Sequence, residues 1–137
     1  MTRDEILAME PGRELDALVA ERVMGKPKPT VIPRSDEKFL ETWDDWGGAW
    51  LARFKGDNEI GQYYALPFST NISKAWEVVE KMQELGCMIE LDRYYPGENS
   101  GLWTCLFCAG SELCGRAEVP TAPEAICKAA LLAVMEN

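Results

Sequence analysis

Arg116 lies between Gly115 and Ala117, close before a C-terminal helix signal that begins at Thr121. A guanidinium is always charged and offers a planar fork of donors, which suits a phosphate or a carboxylate. Small neighbours would leave room for a ligand or a partner chain to approach. The competing reading is an ordinary ion pair on an edge strand. Asn99 and Ser100 add donors in the polar loop Pro96–Gly101. Lys26 and Lys28 alternate with Pro27 and Pro29 on a stiff arm. They could meet phosphates, or be solvated as surface lysines usually are.

Other chemistry is poorly provided for. The sequence has no histidine, which removes histidine-based triads and general bases and most catalytic zinc sites. It has no phosphate-binding P-loop, dinucleotide glycine motif or Gly-x-Ser-x-Gly elbow. Cys105-x-x-Cys108 followed by Cys114 has a zinc-like look. Positions 105 and 108 differ by an odd number, however, so on a strand they face opposite sides. The fourth ligand at a suitable spacing is also missing. Glu41, Asp44 and Asp45, and the pair Glu90 and Asp92, could pass for acid–base carboxylates, but alternating acids on a strand are usually its wet face. Trp43, Trp46 and Trp50 would either line an aromatic site or form a small cluster under a loop. The expectation is a binding protein with no catalytic residue, metal or cofactor.

Composition sets the frame. The 137 residues suit one domain, 1–137, and 47% hydrophobic with 27% charged residues is a globular balance. The net charge of −9 disfavours a nucleic-acid polymer as partner. Local basic side chains and backbone N–H groups can still hold a small phosphorylated ligand. No apolar run reaches the roughly 20 residues of a membrane helix. The acidic opening Met1–Glu5 is unlike a secretory leader, and five cysteines, an odd number, argue against a disulfide scaffold, so most should be buried thiols. The expected location is the cytoplasm.

The elements that would position these residues read as follows. Leu15, Leu18, Val19 and Val23 recur at helical spacing, with Asp16 among the polar positions, and Pro11 and Gly25 bound a helix over about 11–24. Residues 25–36 form a proline-rich arm with room for a short edge strand near Val31. Residues 39–48 are a loop or one helical turn, and 50–66 a β-hairpin. Ser69 or Thr70 caps a helix to about Leu85 with the stripe Ile72, Trp76, Val79 and Met82, a Glu77–Lys81 pair, and Gly86 at its end. Three antiparallel strands follow over 87–119. Thr121 and Glu124 form a capping box for a last helix that is apolar nearly all round. Such a helix is either deeply buried or part of a subunit interface. The predicted class is α/β, a mostly antiparallel sheet covered by helices in an α/β/α sandwich, in the order α-β-β-α-β-β-β-α.

Three blocks carry a resemblance to a known family. Met1–Gly25, Pro67–Lys81 and Thr121–Ala133 resemble phage ABA sandwich domain proteins, while residues 26–66 match least. That family is similar to the Thoeris anti-defence 1 proteins of phages, which are non-enzymatic hexameric sponges for immune signals. They bind cyclic ADP-ribose isomers and, at separate sites, cyclic trinucleotides. The resemblance implies a homo-oligomer, a hexamer, in the host cytoplasm with those two ligand classes. It carries Arg116 and Asn99 to the ADP-ribose-type site. Met24, Gly25 and Lys26 fall where the trinucleotide site would begin, with Lys28 next along the same arm. Two other readings stand beside it. One is a phage accessory or assembly protein that binds another protein through the apolar last helix. The other is a nucleotide-processing enzyme.

Overall fold

The computed structural model describes residues 1–26, 31–34, 37–40, 51–55, 58–63, 66–93 and 101–135. The elements run α1 (Arg3–Ala8), α2 (Arg13–Arg22), β1 (Val31–Arg34), β2 (Glu37–Leu40), β3 (Leu51–Lys55), β4 (Asn58–Tyr63), α3 (Ile72–Glu84), β5 (Met88–Arg93), β6 (Trp103–Ala109), β7 (Glu112–Val119) and α4 (Ala122–Met135). The α/β class and the antiparallel pairing expected from sequence are present. Two additions depart from the expected order. A short helix α1 precedes α2. The short edge strand expected near Val31 is β1, and the second addition is β2 around Phe39; both join the β3–β4 hairpin as a sheet ordered β1-β2-β3-β4. The second sheet is β5-β6-β7, the predicted meander.

Helix α1 is too short to be stable by itself. Thr2 caps it by accepting the Glu5 N–H at 3.2 Å, and Ile6 is buried in the core. Helix α2 buries Leu15, Val19 and Ala20, and Val23 just beyond its end is buried with them. Asp16, expected on its wet side, is buried as well. Its Oδ1 accepts the Ser69 N–H at 2.7 Å and the Ser69 hydroxyl at 2.6 Å, and Ser69 Oγ accepts the Gly12 N–H at 2.8 Å. This knot ties the start of α2 to the turn before α3. Ser69 is therefore not the cap of α3; Asn71 is, accepting the Lys74 N–H at 3.1 Å.

The buried stripe of α3 is Ala75, Val78, Val79 and Met82. Ile72 and Trp76, expected on that stripe, are exposed. The helix is rotated so that Ala75 and Val78 meet the core in their place. The expected Glu77–Lys81 pair is replaced by i,i+3 contacts, Lys74–Glu77 at 3.6 Å and Lys81–Glu84 at 3.8 Å.

Helix α4 contacts α1, α2, α3, β6 and β7. Every residue from Glu124 to Ala133 is buried within the single chain, so of the two readings of this apolar helix the deeply buried one holds. Thr121 Oγ1 accepts the Glu124 N–H at 3.4 Å, one half of the expected capping box. The other half is absent because the Glu124 carboxylate pairs with Lys128 Nζ at 2.6 Å. That ammonium also donates to Leu7 O at 2.9 Å, which fastens α1 to α4.

The three-stranded sheet turns one face to α4. Along β6 and β7, Cys105, Phe107, Gly115, Ala117 and Val119 are buried on this side. Gly115 sits against the backbone of α4. A Cβ there would overlap the Ala129 carbonyl oxygen and lie 2.7 Å from the Ala133 nitrogen. Neither is a flexible side-chain end, so α4 would have to lift. Gly115→Ala should therefore cost about 1–3 kcal/mol or more in urea unfolding, the scale of core overpacking. An unchanged midpoint and slope would show that the helix is not seated this closely.

The Asp16–Ser69 knot makes a second prediction. Burial raises the Asp16 pKa above its ordinary value, against the lowering effect of the two Ser69 hydrogen bonds. A carboxyl with a raised folded pKa binds more protons in the native state, so its contribution falls as pH rises from the unfolded value through the folded one. Asp16→Asn keeps an acceptor and removes that titration. Its stability should rise more steeply with pH across the acidic range than the wild type's, as read by denaturant midpoints from pH 4 to 7. Parallel curves would refute the sign.

Candidate functional site

Side-chain alternation puts Glu90 and Asp92 of β5, Thr104 and Leu106 of β6, and Arg116 and Glu118 of β7 on the sheet face turned away from α4. The strand register arranges them in two rows. Asp92, Thr104 and Glu118 are directly opposite one another, and so are Glu90, Leu106 and Arg116. Arg116 and Glu118 are two apart on one strand and therefore share this face. The guanidinium donates to Glu118 Oε2 at 2.9 Å. With 42% of the Arg116 side chain exposed, this bond fixes its direction and leaves further donors open to solvent.

Thr104 is the unexpected member. It is 4% exposed, and its Oγ1 has no hydrogen-bond partner among the described residues. A buried hydroxyl left unpaired costs about 1–3 kcal/mol. It lies next to Glu118 and diagonal to Arg116, so the face combines a guanidinium, an unused hydroxyl and flanking carboxylates. Its accessible members, the guanidinium and the carboxylates, can grip a phosphate and accept from a sugar hydroxyl or an exocyclic amine. It has no nucleophile paired with a base.

The small residues beside Arg116 do a different job from the one expected. Gly115 and Ala117 point to the opposite face, where α4 occupies the space they leave. Adjacent strand residues alternate in direction, so neither could make room next to the guanidinium. Thr104 and Glu118 were missed by the sequence reading. Glu118 had a signal, an opposite charge two residues from Arg116 on a strand. Thr104 had none, because its position depends on the β6–β7 register.

Met24, Gly25 and Lys26 lie elsewhere. Gly25 has φ 76°, and around it the Met24 N–H donates to Val19 O and the Lys26 N–H to Ala20 O, both at 3.0 Å, closing α2. Met24 also packs against the core. Helix α2 packs on α4, on the far side of the sheet from Arg116. The structure does not bring these residues onto the Arg116 face. Asn99, Lys28 and the tryptophans 43, 46 and 50 lie outside the described residues.

The cysteines divide as the strand argument required. Cys105 is in the core, while Cys108 is partly exposed on the other face. Cys127 is buried in α4, and Cys87 and Cys114 are partly exposed, so mainly buried thiols were expected and two of the five are buried. Burial pushes Cys105 up to about 12 and Cys127 well above the ordinary thiol value. Cys87 is raised by burial and then by its neighbours Cys114 and Cys108. Among the described residues, no group of three or more acidic or cysteine side chains is placed to hold a metal ion.

Two other depressions are visible. An apolar notch of about 80 Å³ lies between Ile6, Leu18 and Leu131, with Arg22 at its rim. Nucleotide-sized ligands need several times that, on the order of 300–1,000 Å³. A shallow, open hollow on α3 lies beside the exposed Ile72 and Trp76.

The phage ABA sandwich domain profile matches residues 17–131, from α2 through both sheets into α4. The chain belongs to this family. No curated protein and no solved structure matches it. No helix among the described residues of this phage ABA sandwich protein is long and apolar enough to cross a membrane.

Thiol reactivity follows from burial and thiolate fraction. A disulfide-exchange reagent at pH 8 should modify Cys87, Cys108 and Cys114 in the native protein and reach Cys105 and Cys127 only in denaturant. Mass spectrometry of peptides will assign the order. Early modification of Cys105 would contradict its place beneath α4.

Proposed function

We propose that this protein is a non-enzymatic phage sponge that binds and sequesters nucleotide-derived immune signals in the host cytoplasm and so blocks bacterial anti-phage defence. Its ligands are cyclic ADP-ribose isomers at the Arg116 face, with Asn99 as a further contact. Cyclic trinucleotides bind at a second place near Met24, Gly25, Lys26 and Lys28. The working form is a homo-oligomer, a hexamer. No cofactor or metal takes part.

The observation that carries this reading is the Arg116 guanidinium, held in one direction by Glu118 and partly open to solvent on the sheet face away from α4. A pyrophosphate suits the free donors of a fixed guanidinium, and ribose hydroxyls suit the flanking acids. Membership of the phage ABA sandwich family agrees with a phage role. The alternative, an accessory protein that docks another protein, no longer has α4 to work with, because α4 is buried. It would draw on the exposed Ile72 and Trp76 of α3.

Two variants separate a ligand site from a structural one. Arg116→Ala should weaken binding of a cyclic ADP-ribose isomer by about 1.5–3 kcal/mol, the scale of a hydrogen bond to a charged group. Arg116→Lys should restore part, since a point charge cannot reproduce the fork. Thr104→Val removes an unsatisfied buried group out of a ligand's reach, so it should leave binding unchanged and the melting temperature unchanged or higher, and it serves as the structural control. Calorimetry with the isomers, followed by recovery of the ligand after heat denaturation, reads both affinity and chemistry. Absence of heat for every isomer would remove the sponge reading for this ligand class, and recovery of a processed ligand would make the protein an enzyme.

A further inference from the structure

We infer that β7 is a self-association edge, and that two copies pair their β7 strands antiparallel about a two-fold axis midway between the two copies of Ala117. Strand geometry and charge carry this pairing, and it does not require the sponge reading.

Among the described residues, the three-stranded sheet is open at both edges. Each of β5 and β7 has one strand neighbour, β6. An eight-residue edge strand offers a row of backbone donors and acceptors to any matching strand. Two features limit where β7 can pair. The β6–β7 register shifts between Phe107 and Cys108, which leaves Cys114 as the extra residue of a bulge. Pro120 follows the strand and has no N–H to give. Between them lies a regular run of five residues, Gly115 to Val119, whose middle residue is Ala117.

A two-fold axis perpendicular to a continuous antiparallel sheet must pass midway between a residue and its own copy, because directly opposed side chains share a face. The choice of residue sets the pairs. Centred on Arg116, the guanidinium would oppose its own copy. Centred on Ala117, Arg116 opposes Glu118 of the second copy, and Glu118 opposes that copy's Arg116. Both pairs are of opposite charge. The existing Arg116–Glu118 contact at 2.9 Å then becomes part of a four-charge cluster on the face away from α4. Gly115 and Val119 oppose each other on the helix side, and Ala117 opposes itself.

The other edge cannot do this. In β5, a centre at Glu90 or Asp92 sets two identical acids together, and a centre at Leu91 sets Glu90 against Asp92. These registers bring carboxylates face to face, and like charges directly opposite destabilise a strand pair; a centre at Ile89 pairs only Met88 to Glu90 within the strand, and no register sets Arg93 opposite an acid. One edge thus offers its own copy no charge match, and repels it in the central registers, while the other matches it. The partner for β7 is a second copy of this chain, giving a continuous sheet β5-β6-β7-β7-β6-β5 with an isologous interface.

Charge exchange tests this. In Arg116→Glu alone, and in Glu118→Arg alone, all four facing charges become alike. The dissociation constant of each should rise by at least about tenfold. The mass from light scattering at micromolar concentration should fall to half of the wild-type value or less. In an equimolar mixture of the two variants, one chain brings two acids to the seam and the other two guanidinium groups. Each facing pair is then again of opposite charge, and the mixture should regain the wild-type mass. The double variant Arg116→Glu/Glu118→Arg should assemble alone. It keeps the internal ion pair, which guards against loss of fold, and circular dichroism confirms that each protein is folded. A monomeric wild type, single variants that assemble normally, or a mixture that fails to associate would each overturn the proposal. The double variant also separates this inference from the ligand reading. Assembly without ligand binding supports both, and loss of assembly with binding retained defeats only this one.

Discussion

The seating of α4 on β7 is the constraint on which the rest of the chain depends. Gly115 lies against the Ala129 carbonyl and the Ala133 nitrogen, one helical turn apart, so the helix backbone nearly touches the strand. That closeness needs no side chain at 115 and small ones at 129 and 133. It also allows α4 to contact β6 and to be enclosed by α1, α2 and α3. A helix buried on all sides has no face left for solvent. Its apolar composition is what this position demands, and it leaves no apolar stripe for a subunit interface.

Burial of that degree forces polar groups to be answered inside the chain. Lys128 is 2% exposed, and its ammonium is held by Glu124 and by the Leu7 carbonyl. An isolated buried ammonium would be far too costly, and the paired one fixes α1 to α4 at one registration. Asp16 plays a comparable part between α2 and Ser69, where two donors converge on one carboxylate oxygen. These contacts are specific in direction, which the surrounding alanines, valines and leucines are not.

Since the helical packing is concentrated on one face of the three-stranded sheet, the other face is where chemistry can be displayed. Its residues are of mixed polarity, and its one unanswered buried hydroxyl among the described residues is Thr104. The same alternation that sends Gly115 and Ala117 to α4 sends Arg116 and Glu118 outward. Fold and candidate site are therefore two readings of a single strand. Any change that shifts β7 along its axis by one residue would bury the charges and expose the glycine.

Local signals in the sequence determined a good deal. Leu15, Val19 and Val23 marked α2, and Gly25 and Gly86 marked helix ends because only a residue without Cβ adopts their positive φ easily. The run over 87–119 marked the three-stranded meander. The odd spacing of Cys105 and Cys108 put them on opposite faces. These features act within one element or one turn, so periodicity suffices to read them. What only the tertiary structure decided was which surface each element met. Asp16 looked solvated and is buried, because Ser69, far along the chain, completes it. Ile72 and Trp76 looked like a core stripe and are exposed, because α4 and the sheet select Ala75 and Val78. Gly115 looked like space for a ligand and is space for a helix. Thr104 carried no local mark, and its place beside Glu118 and Arg116 comes from strand register. Such choices are settled by groups distant in sequence competing for the same volume, and a local pattern holds no record of its competitor.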